Sequence, residues 1–453
     1  MKEKKFIQEM KLKNRETGHK CPIVATILLI LTLSCNFYEK KGQVAVVVPE
    51  TVIVDDGYSL ALDDLKSALK ECGIKMSIHK PSSCAGLTNK IVIGETEEDM
   101  GESYKITPLK ERNFKTLVLA GGERGLMYGI FKLAEEIRLG KDLWEISKDM
   151  SPKFSQRMYA EEGQLFDLPS VGYHLFKAPW VNHDRFEKEE AELKILIDEI
   201  ARLGYNTLAL LHVNFEDYIS YKYLDKEIYV KNDVHRIKSK LFANHLNDLI
   251  EYAHARHIEV FLQVYEFQYP PRLEELYEIN LERPDMAAII NAKVKELFEV
   301  TKLDGLIITA TETLPRSGYK SKELWREYGV KGAGKMMTMY HDAAKKAGKI
   351  MIFRSWMVSF GAEDSNNIFE NTPADAQFEI KHTGHDFWLN YPFTSLITDG
   401  IDHKRPLTVT FDVFPQYYGW SRLICYEKRF SEEARIAREN GVAGIQAWGA
   451  WAP

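Results

Sequence analysis

Cysteine is scarce, five in 453 residues, and none of the five belongs to a set at metal-ligand spacing. The 13 histidines include no pair at zincin spacing, and His254 and His257 fall at a helix end where solvation accounts for them. Neither a metal nor an organic cofactor is expected. A basic excess is also missing: 60 Lys and Arg stand against 66 Asp and Glu, a net charge of -6. A nucleic-acid binder needs a basic face to neutralise phosphates, so the balance points instead to a neutral or modestly charged small ligand. No low-complexity tract suggests disorder, and no apolar run reaches the roughly 20 residues that span a bilayer. Phosphate-loop spacing is absent as well: Gly121-Gly122-Glu123-Arg124-Gly125 fits neither the P-loop nor the dinucleotide fingerprint, which leaves a tight turn between a strand and a helix.

What is present begins with a leader. A basic stretch ending at Lys20 runs into a short apolar segment from Ile23 to Leu33, followed by Ser34-Cys35. That length suits the apolar region of a signal peptide. Ser34-Cys35 resembles the bacterial lipoprotein box, although Thr32 stands where that box prefers leucine and Leu31 sits one residue further back. The resemblance implies a signal over 1–34, lipidation of Cys35, a tether over 35–43, and an exported chain held at the bacterial cell envelope, periplasmic or surface. Membrane contact would come through the lipid alone. A plainly cleaved signal, an uncleaved anchor and a cytosolic apolar helix are the alternatives, and Met10 is a candidate start. Cys72 and Cys84 could pair after export or remain buried thiols.

Mature length exceeds one ordinary domain of roughly 100–200 residues, so two domains are expected. Residues 44–150 alternate strand and helix patterns: Val44–Val48, Lys90–Gly94 and Thr116–Ala120 as strands, Tyr58–Cys72 and Gly125–Leu139 as helices. The Val-Leu-Ala-Gly-Gly…Arg-Gly-Leu-Met-Tyr-Gly pattern here resembles the small α/β domain that precedes the barrel in family 20 hexosaminidases and family 67 α-glucuronidases. From 155 to 453, eight apolar runs recur: Arg157–Gly163, Tyr205–Val213, Ile258–Glu266, Gly305–Glu312, Lys349–Trp356, Ala376–Thr383, Leu407–Pro415 and Gly441–Trp448. Amphipathic helices over Glu189–Leu203, Lys240–Arg256, Asp285–Phe298 and Gly334–Ala347 lie between them. This alternation predicts an α/β fold, a (β/α)8 TIM barrel behind a small α/β domain. The last run ends near Pro453, so either the sequence is a fragment or something other than an eighth helix closes the barrel.

A parallel barrel places its site where strands end. The polar groups there are Glu161, Glu162, Asn214, Glu266, Glu312, Arg354, Lys381, Asp386, Asp412 and Gln416, with Tyr265, Trp356, Trp388, Tyr417 and Trp448 as aromatics. Any one of these could be merely solvated, but their convergence has the composition of a sugar site, with aromatics for apolar ring faces and polar partners for hydroxyls. Glycoside hydrolysis needs one protonated carboxyl as acid and one ionised as nucleophile or base. Glu312, after the apolar run from Leu306, and Asp386, in a loop dense in sugar-binding groups, are the chosen pair. Turn or cap roles are the alternative for each.

Several blocks resemble glycoside hydrolase family 67: Arg157-Met158, Phe353-Arg354-Ser355-Trp356, Ile380-Lys381 with Asp386-Phe387, and Gln416-Tyr417-Tyr418-Gly419. The resemblance implies Glu312 as acid, Asp386 as one of two water-activating carboxylates, and Arg354 and Lys381 as ligands of a uronate carboxylate, two donors answering one anion. Of the strand-end groups, Glu162, Asn214, Gln416, Trp356, Trp388 and Tyr417 are the further candidates for sugar contacts. The chain departs from the family at Thr309-Ala310-Thr311-Glu312-Thr313, where the family's lysine and glycine are missing. It departs again at Gln416, which stands in place of the second basic glutamate. Asp412, four residues earlier and expected on the same strand and face, is the substitute, with a structural carboxylate as its other reading. The expected function is an exported glycoside hydrolase acting on an oligosaccharide or polysaccharide fragment, uronate-bearing if the resemblance extends to substrate. A β-N-acetylhexosaminidase-like enzyme and a non-catalytic carbohydrate-binding lipoprotein are the alternatives.

Overall fold

The computed structural model describes the chain from residue 42, except for 49–55, 84–86, 88, 96–99, 112–113, 163–182, 212–214, 232, 266, 310–319, 322–323, 356–361, 383–392, 395, 401–404, 414–415, 418–419, 422–426 and 450–453. It divides into two compact units, 1–54 with 58–151, and 55–57 with 152–453.

The first unit follows the order β1 (Gln43–Val47), α1 (Asp56–Glu71), β2 (Lys75–His79), β3 (Asn89–Glu95), β4 (Tyr104–Glu111), β5 (Phe114–Gly121), α2 (Glu123–Arg138) and β6 (Lys148–Met150). One six-stranded sheet runs β2-β1-β3-β5-β4-β6. The first four of these are parallel, while β4 pairs antiparallel with β5 and β6. Val44, Val46, Ile91, Ile93, Leu117 and Leu119 pack into one core with Leu65, Leu69, Leu126 and Ile130 of the helices. The glycine turn at 121–125 has a packing cause. A Cβ on Gly122 would strike the Gly101 carbonyl and one on Gly125 the Ser103 carbonyl, so the glycines admit a neighbouring backbone. The thiol of Cys72 lies 4.0 Å from the Ile137 carbonyl, and Cys84 lies outside the described residues.

The second unit contains a closed barrel in the order β7 (Gln156–Glu162), β8 (Thr207–Leu211), β11 (Glu259–Tyr265), β13 (Gly305–Thr309), β15 (Ile350–Ser355), β16 (Gln377–Lys381), β17 (Leu407–Asp412) and β20 (Gly444–Gly449). All eight expected runs supply one strand each, and every neighbouring pair is parallel. Helices α3 (His183–Arg202), α4 (Val234–His254), α6 (Pro284–Val300), α7 (Leu324–Lys346), α8 (Ala362–Glu370) and α9 (Glu427–Glu439) connect successive strands, and α5 (Pro271–Leu276) is a short turn of helix after β11. Small strands decorate the loops: β9 (Lys222–Tyr223) with β10 (Lys226–Glu227), β12 (Gln268–Tyr269) with β14 (Lys320–Ser321), and β18 (Gln416–Tyr417) with β19 (Trp420–Ser421). Helix α7 begins earlier than its apolar periodicity suggests because it is kinked at Gly329, whose φ of 66° only glycine adopts without strain.

The outward faces of the barrel strands pack under the helices, for example Leu262, Val264, Leu306, Ile308, Phe353, Phe378 and Val409 against Leu246, Ile250, Ile289 and Met336. Strand starts are stitched together at the opposite end from the site. Asn206 donates to the Ser155 carbonyl at 2.8 Å and accepts from the Arg157 N–H at 2.9 Å. Asp304 accepts from the Val260 N–H at 2.8 Å and meets His254 Nε2 at 2.8 Å. His254 is thus the partner of a strand-start carboxylate. One expectation needs correcting: Asp412 ends β17, and Gln416 belongs to the separate β18–β19 hairpin, so the two do not share one strand and face.

Candidate functional site

Side chains alternate in and out along each strand, and the inward set divides the barrel interior into two chemically distinct halves. Met158 and Ala160 on β7, Ala209 and Leu211 on β8, and Phe261, Ile307 and Ile352 deeper down form an apolar lining that ends at Trp448. Gly305 makes room for the Phe261 ring, since a Cβ there would overlap it. Two residues further along β11, β13 and β15, and on β16, β17 and β20, the inward side chains are Gln263, Thr309, Arg354, Glu379, Lys381, Thr408, Thr410, Asp412 and Gln446, all of them buried.

The charged members form linked pairs. Arg354 Nε lies 3.1 Å from Glu379 Oε1, and neither side chain has any exposure. Thr410 donates its hydroxyl to the same Glu379 oxygen at 2.5 Å. Lys381 Nζ lies 3.6 Å from Asp412 Oδ1, also almost wholly buried. Both cations lie over Trp448: the Arg354 guanidinium carbon is 5.0 Å from the ring centroid and the Lys381 ammonium 4.1 Å. Strand register explains the convergence. Arg354 is opposite Glu379, Lys381 opposite Thr410, and Asp412 opposite Trp448, so a run of paired positions on four adjacent strands brings them together. Gln263 donates to the Thr309 hydroxyl at 3.0 Å beside them. The Gln446 carboxamide is fully buried and has no hydrogen-bond partner among the described residues.

Burial pushes the Glu379 carboxyl above the ordinary glutamate range, and it outweighs the opposing pull of Arg354, the Thr410 hydrogen bond and Lys381. Arg354, Lys381, Glu379 and Asp412 thus gather two cationic groups and two carboxyl groups beside one indole. Cations and amides answer ligand oxygens, and an indole answers C–H groups.

Of the residues singled out in the sequence, Arg354, Lys381, Asp412 and Trp448 are brought together here. Glu162, Gln416 and Tyr417 lie in strands β7 and β18, with side chains outside the described residues. Asn214, Glu266, Glu312, Trp356, Asp386 and Trp388 also lie outside the described residues, as does Cys35. Tyr265 is buried at the end of β11, on the inward alternation shared with Phe261 and Gln263. Glu161 has the opposite orientation. It interacts with Tyr159, whose ring packs edge-on against Tyr205 at 5.8 Å and belongs to the core under the helices, so it does not enter the barrel. Glu379, Thr410, Gln263, Thr309 and Gln446 were not anticipated. Their signal is the period-two step back from strand ends: Lys381 leads to Glu379, Asp412 to Thr410, and Trp448 to Gln446.

Among the described residues no group of His, Cys, Asp and Glu is placed to hold a metal ion, and no helix is long and apolar enough to cross a membrane.

No protein-family model and no curated protein matches the sequence. Solved structures do match. A GH138 enzyme targeting pectin rhamnogalacturonan II aligns with a TM-score of 0.62 at 14% identity, over 89% of this chain and 46% of that one. This chain therefore spans about half the length of that protein. The β-N-acetylhexosaminidase from Bacteroides fragilis aligns with a TM-score of 0.52 at 10% identity, over 90% of this chain and 81% of that one. The GH20 β-N-acetylhexosaminidase from Streptomyces coelicolor aligns with a TM-score of 0.51 at 13% identity, over 89% and 81%. The chain thus shares the fold of these glycoside hydrolases, an eight-stranded parallel barrel behind a smaller α/β unit.

Proposed function

We propose that this chain is a glycoside hydrolase of α-glucuronidase-like type, acting on a uronate-bearing oligosaccharide or polysaccharide fragment. The observation that carries the reading is the stacking of Arg354 and Lys381 over Trp448, each backed by a buried carboxylate. Two cations on one indole build a floor for a sugar that presents an apolar face and a carboxylate. In this reading Glu312 protonates the leaving oxygen, and Asp386, with Asp412 in support, activates water from the other side. An inverting reaction of this kind needs roughly 6.5–9.5 Å between acid and base, and a retaining one about 5–5.5 Å. Glu162, Asn214, Gln416, Trp356, Trp388 and Tyr417 complete the sugar contacts. The chain is exported and anchored through a lipid on Cys35.

The test is hydrolysis of aryl glucuronides, galacturonides and N-acetylglucosaminides, together with pectic and xylan-derived fragments. Release from a uronide with product of inverted anomeric configuration supports the reading; turnover confined to N-acetylhexosaminides transfers the chain to the hexosaminidase alternative. That alternative is favoured by the β-N-acetylhexosaminidases among the matching folds. Binding of uronides without turnover would make the chain a carbohydrate-binding lipoprotein, the outcome that Gln416 in place of a basic glutamate favours. Labelling by a fatty acid that is lost in Cys35→Ala tests the anchor.

A further inference from the structure

A further buried ion pair lies outside the barrel wall, between helix α6 and the chain that follows β8 and β11. Lys293 of α6 meets Glu216 at 2.6 Å, both side chains completely out of solvent. The same ammonium donates to the Gln268 carbonyl at 2.5 Å. Tyr229 donates its hydroxyl to the other oxygen of Glu216 at 2.7 Å, and the Phe215 and Phe267 rings stand 5.1 and 4.7 Å from the Lys293 nitrogen. Replacing such a pair by apolar side chains of similar volume is often neutral or stabilising, so stability alone gives no reason for placing these charges in the interior.

The reason is in what the ammonium connects. Glu216 sits in the 3-10 turn Phe215–Tyr218, which follows β8 in the chain. Gln268 begins β12, which follows β11 in the chain. Strand β12 in turn pairs with β14, Gln268 opposite Ser321 and Tyr269 opposite Lys320. Glu274 of α5 secures that clip from below, accepting from the Tyr269 hydroxyl at 2.5 Å and pairing with Lys320. One buried nitrogen therefore joins residues that follow two consecutive barrel strands, β8 and β11, and reaches β14 through the β12–β14 pairing, on the face where a barrel keeps its site.

We propose that Lys293 is a positioning residue: its ion pair with Glu216 and its hydrogen bond to the Gln268 carbonyl tie the Phe215–Tyr218 turn to β12, and through β12 to β14, as one wall on the face where a barrel keeps its site. The glycosidase reading is needed only for what the wall serves, and the locking can be measured without any substrate. Hydrogen exchange on the full chain compares the natural protein with Lys293→Met and with the double variant Lys293→Met, Glu216→Leu. In Lys293→Met, amides of 215–221, 267–276 and 320–328 should exchange at least about tenfold faster while those of β16 and β17 stay unchanged. In the double variant an apolar pair replaces the ion pair and thermal stability should recover, yet 267–276 and 320–328 should remain fast because the Gln268 carbonyl still lacks its donor.

Unchanged loop exchange in Lys293→Met, or loop protection restored together with stability in the double variant, would overturn the proposal and reduce the pair to packing. If Lys293→Met does not fold, the double variant decides. On any glycoside the natural protein hydrolyses, Lys293→Met should lower kcat about tenfold or more with KM within about twofold, the signature of lost positioning with binding kept. Absence of turnover in the natural protein would sink the glycosidase reading and leave the exchange comparison to judge the wall.

Discussion

Arg354 and Lys381 sit on adjacent strands with their cationic groups 5.0 and 4.1 Å from the centroid of the same indole, that of Trp448. Like charges this close repel strongly in a low-dielectric interior, and the arrangement stands because Glu379 and Asp412 each face one of them. Removing a member of this set should therefore affect its neighbours as well as the position it vacates.

Arg354→Met is expected to destabilise the barrel by about 3–5 kcal/mol at neutral pH, because it strips Glu379 of its main counter-charge inside the fold. The loss should shrink in acid, where Glu379 takes up a proton. Urea unfolding of both proteins at pH 5 and pH 8 measures it; an equal loss at both values would mean that Glu379 does not respond to Arg354.

Glu379→Gln isolates the carboxyl itself. Its folded value is raised above 4.5, so the folded chain holds a proton that the unfolded chain releases. The stability this contributes is fully present below the ordinary value and is lost as pH rises through the folded one. Plotted against pH, the melting temperature of the natural protein should fall relative to that of Glu379→Gln through this window, since the amide has no proton to lose. Parallel curves would refute the raised value.

Asp304→Asn provides the contrasting case at the strand starts. Burial pushes that carboxyl up, but the His254 hydrogen bond and the Val260 N–H outweigh it and hold the group below its ordinary range. Its stabilisation is present above the unfolded value of 3.8 and is lost as pH falls through the folded one. The variant should cost about 1–2 kcal/mol at pH 7 and progressively less in acid. Glycoside turnover should be unchanged, because the site lies at the other end of the strands. Denaturation at pH 7 and pH 3, with a turnover assay alongside, checks both parts.

Glu312→Gln should reduce turnover on a glycoside with a poor leaving group by roughly 10²–10⁴-fold while ligand binding persists, as removal of a general acid does. The loss should be smaller on aryl glycosides whose leaving group needs no proton. Equal losses on both substrates would remove Glu312 from the role of acid.

The barrel was legible because its strands are covered on both faces. Leu306-Ile307-Ile308 and Phe261-Leu262 read as continuous apolar runs, the mark of parallel strands under helices. The same coverage concealed half of the site. Glu379 lies between Phe378 and Ile380 and Thr410 between Val409 and Phe411, in stretches where a polar residue registers as an interruption of the apolar run. Attention to strand ends found Lys381 and Asp412 but stopped one alternation short of the groups that hold them. Strand β4 was missed for another reason: it pairs antiparallel with β5, and its Lys105, Lys110 and Glu111 dilute the apolar signal. The end of β17 was overextended because Phe414-Pro415 continued the apolar composition while the ladder stopped at Asp412.

Closure of the barrel joins β20 to β7, pairing Gln446 with Met158 and Trp448 with Ala160 across nearly the whole length of the unit. Pairing over so great a sequence separation carries a loop-closure cost that neighbouring strands avoid. On its other side β20 pairs with β17, where Trp448 stands opposite Asp412. The indole that both cations face is therefore set in the seam of the ring, and any loosening of that seam would reach the Arg354 and Lys381 cluster directly.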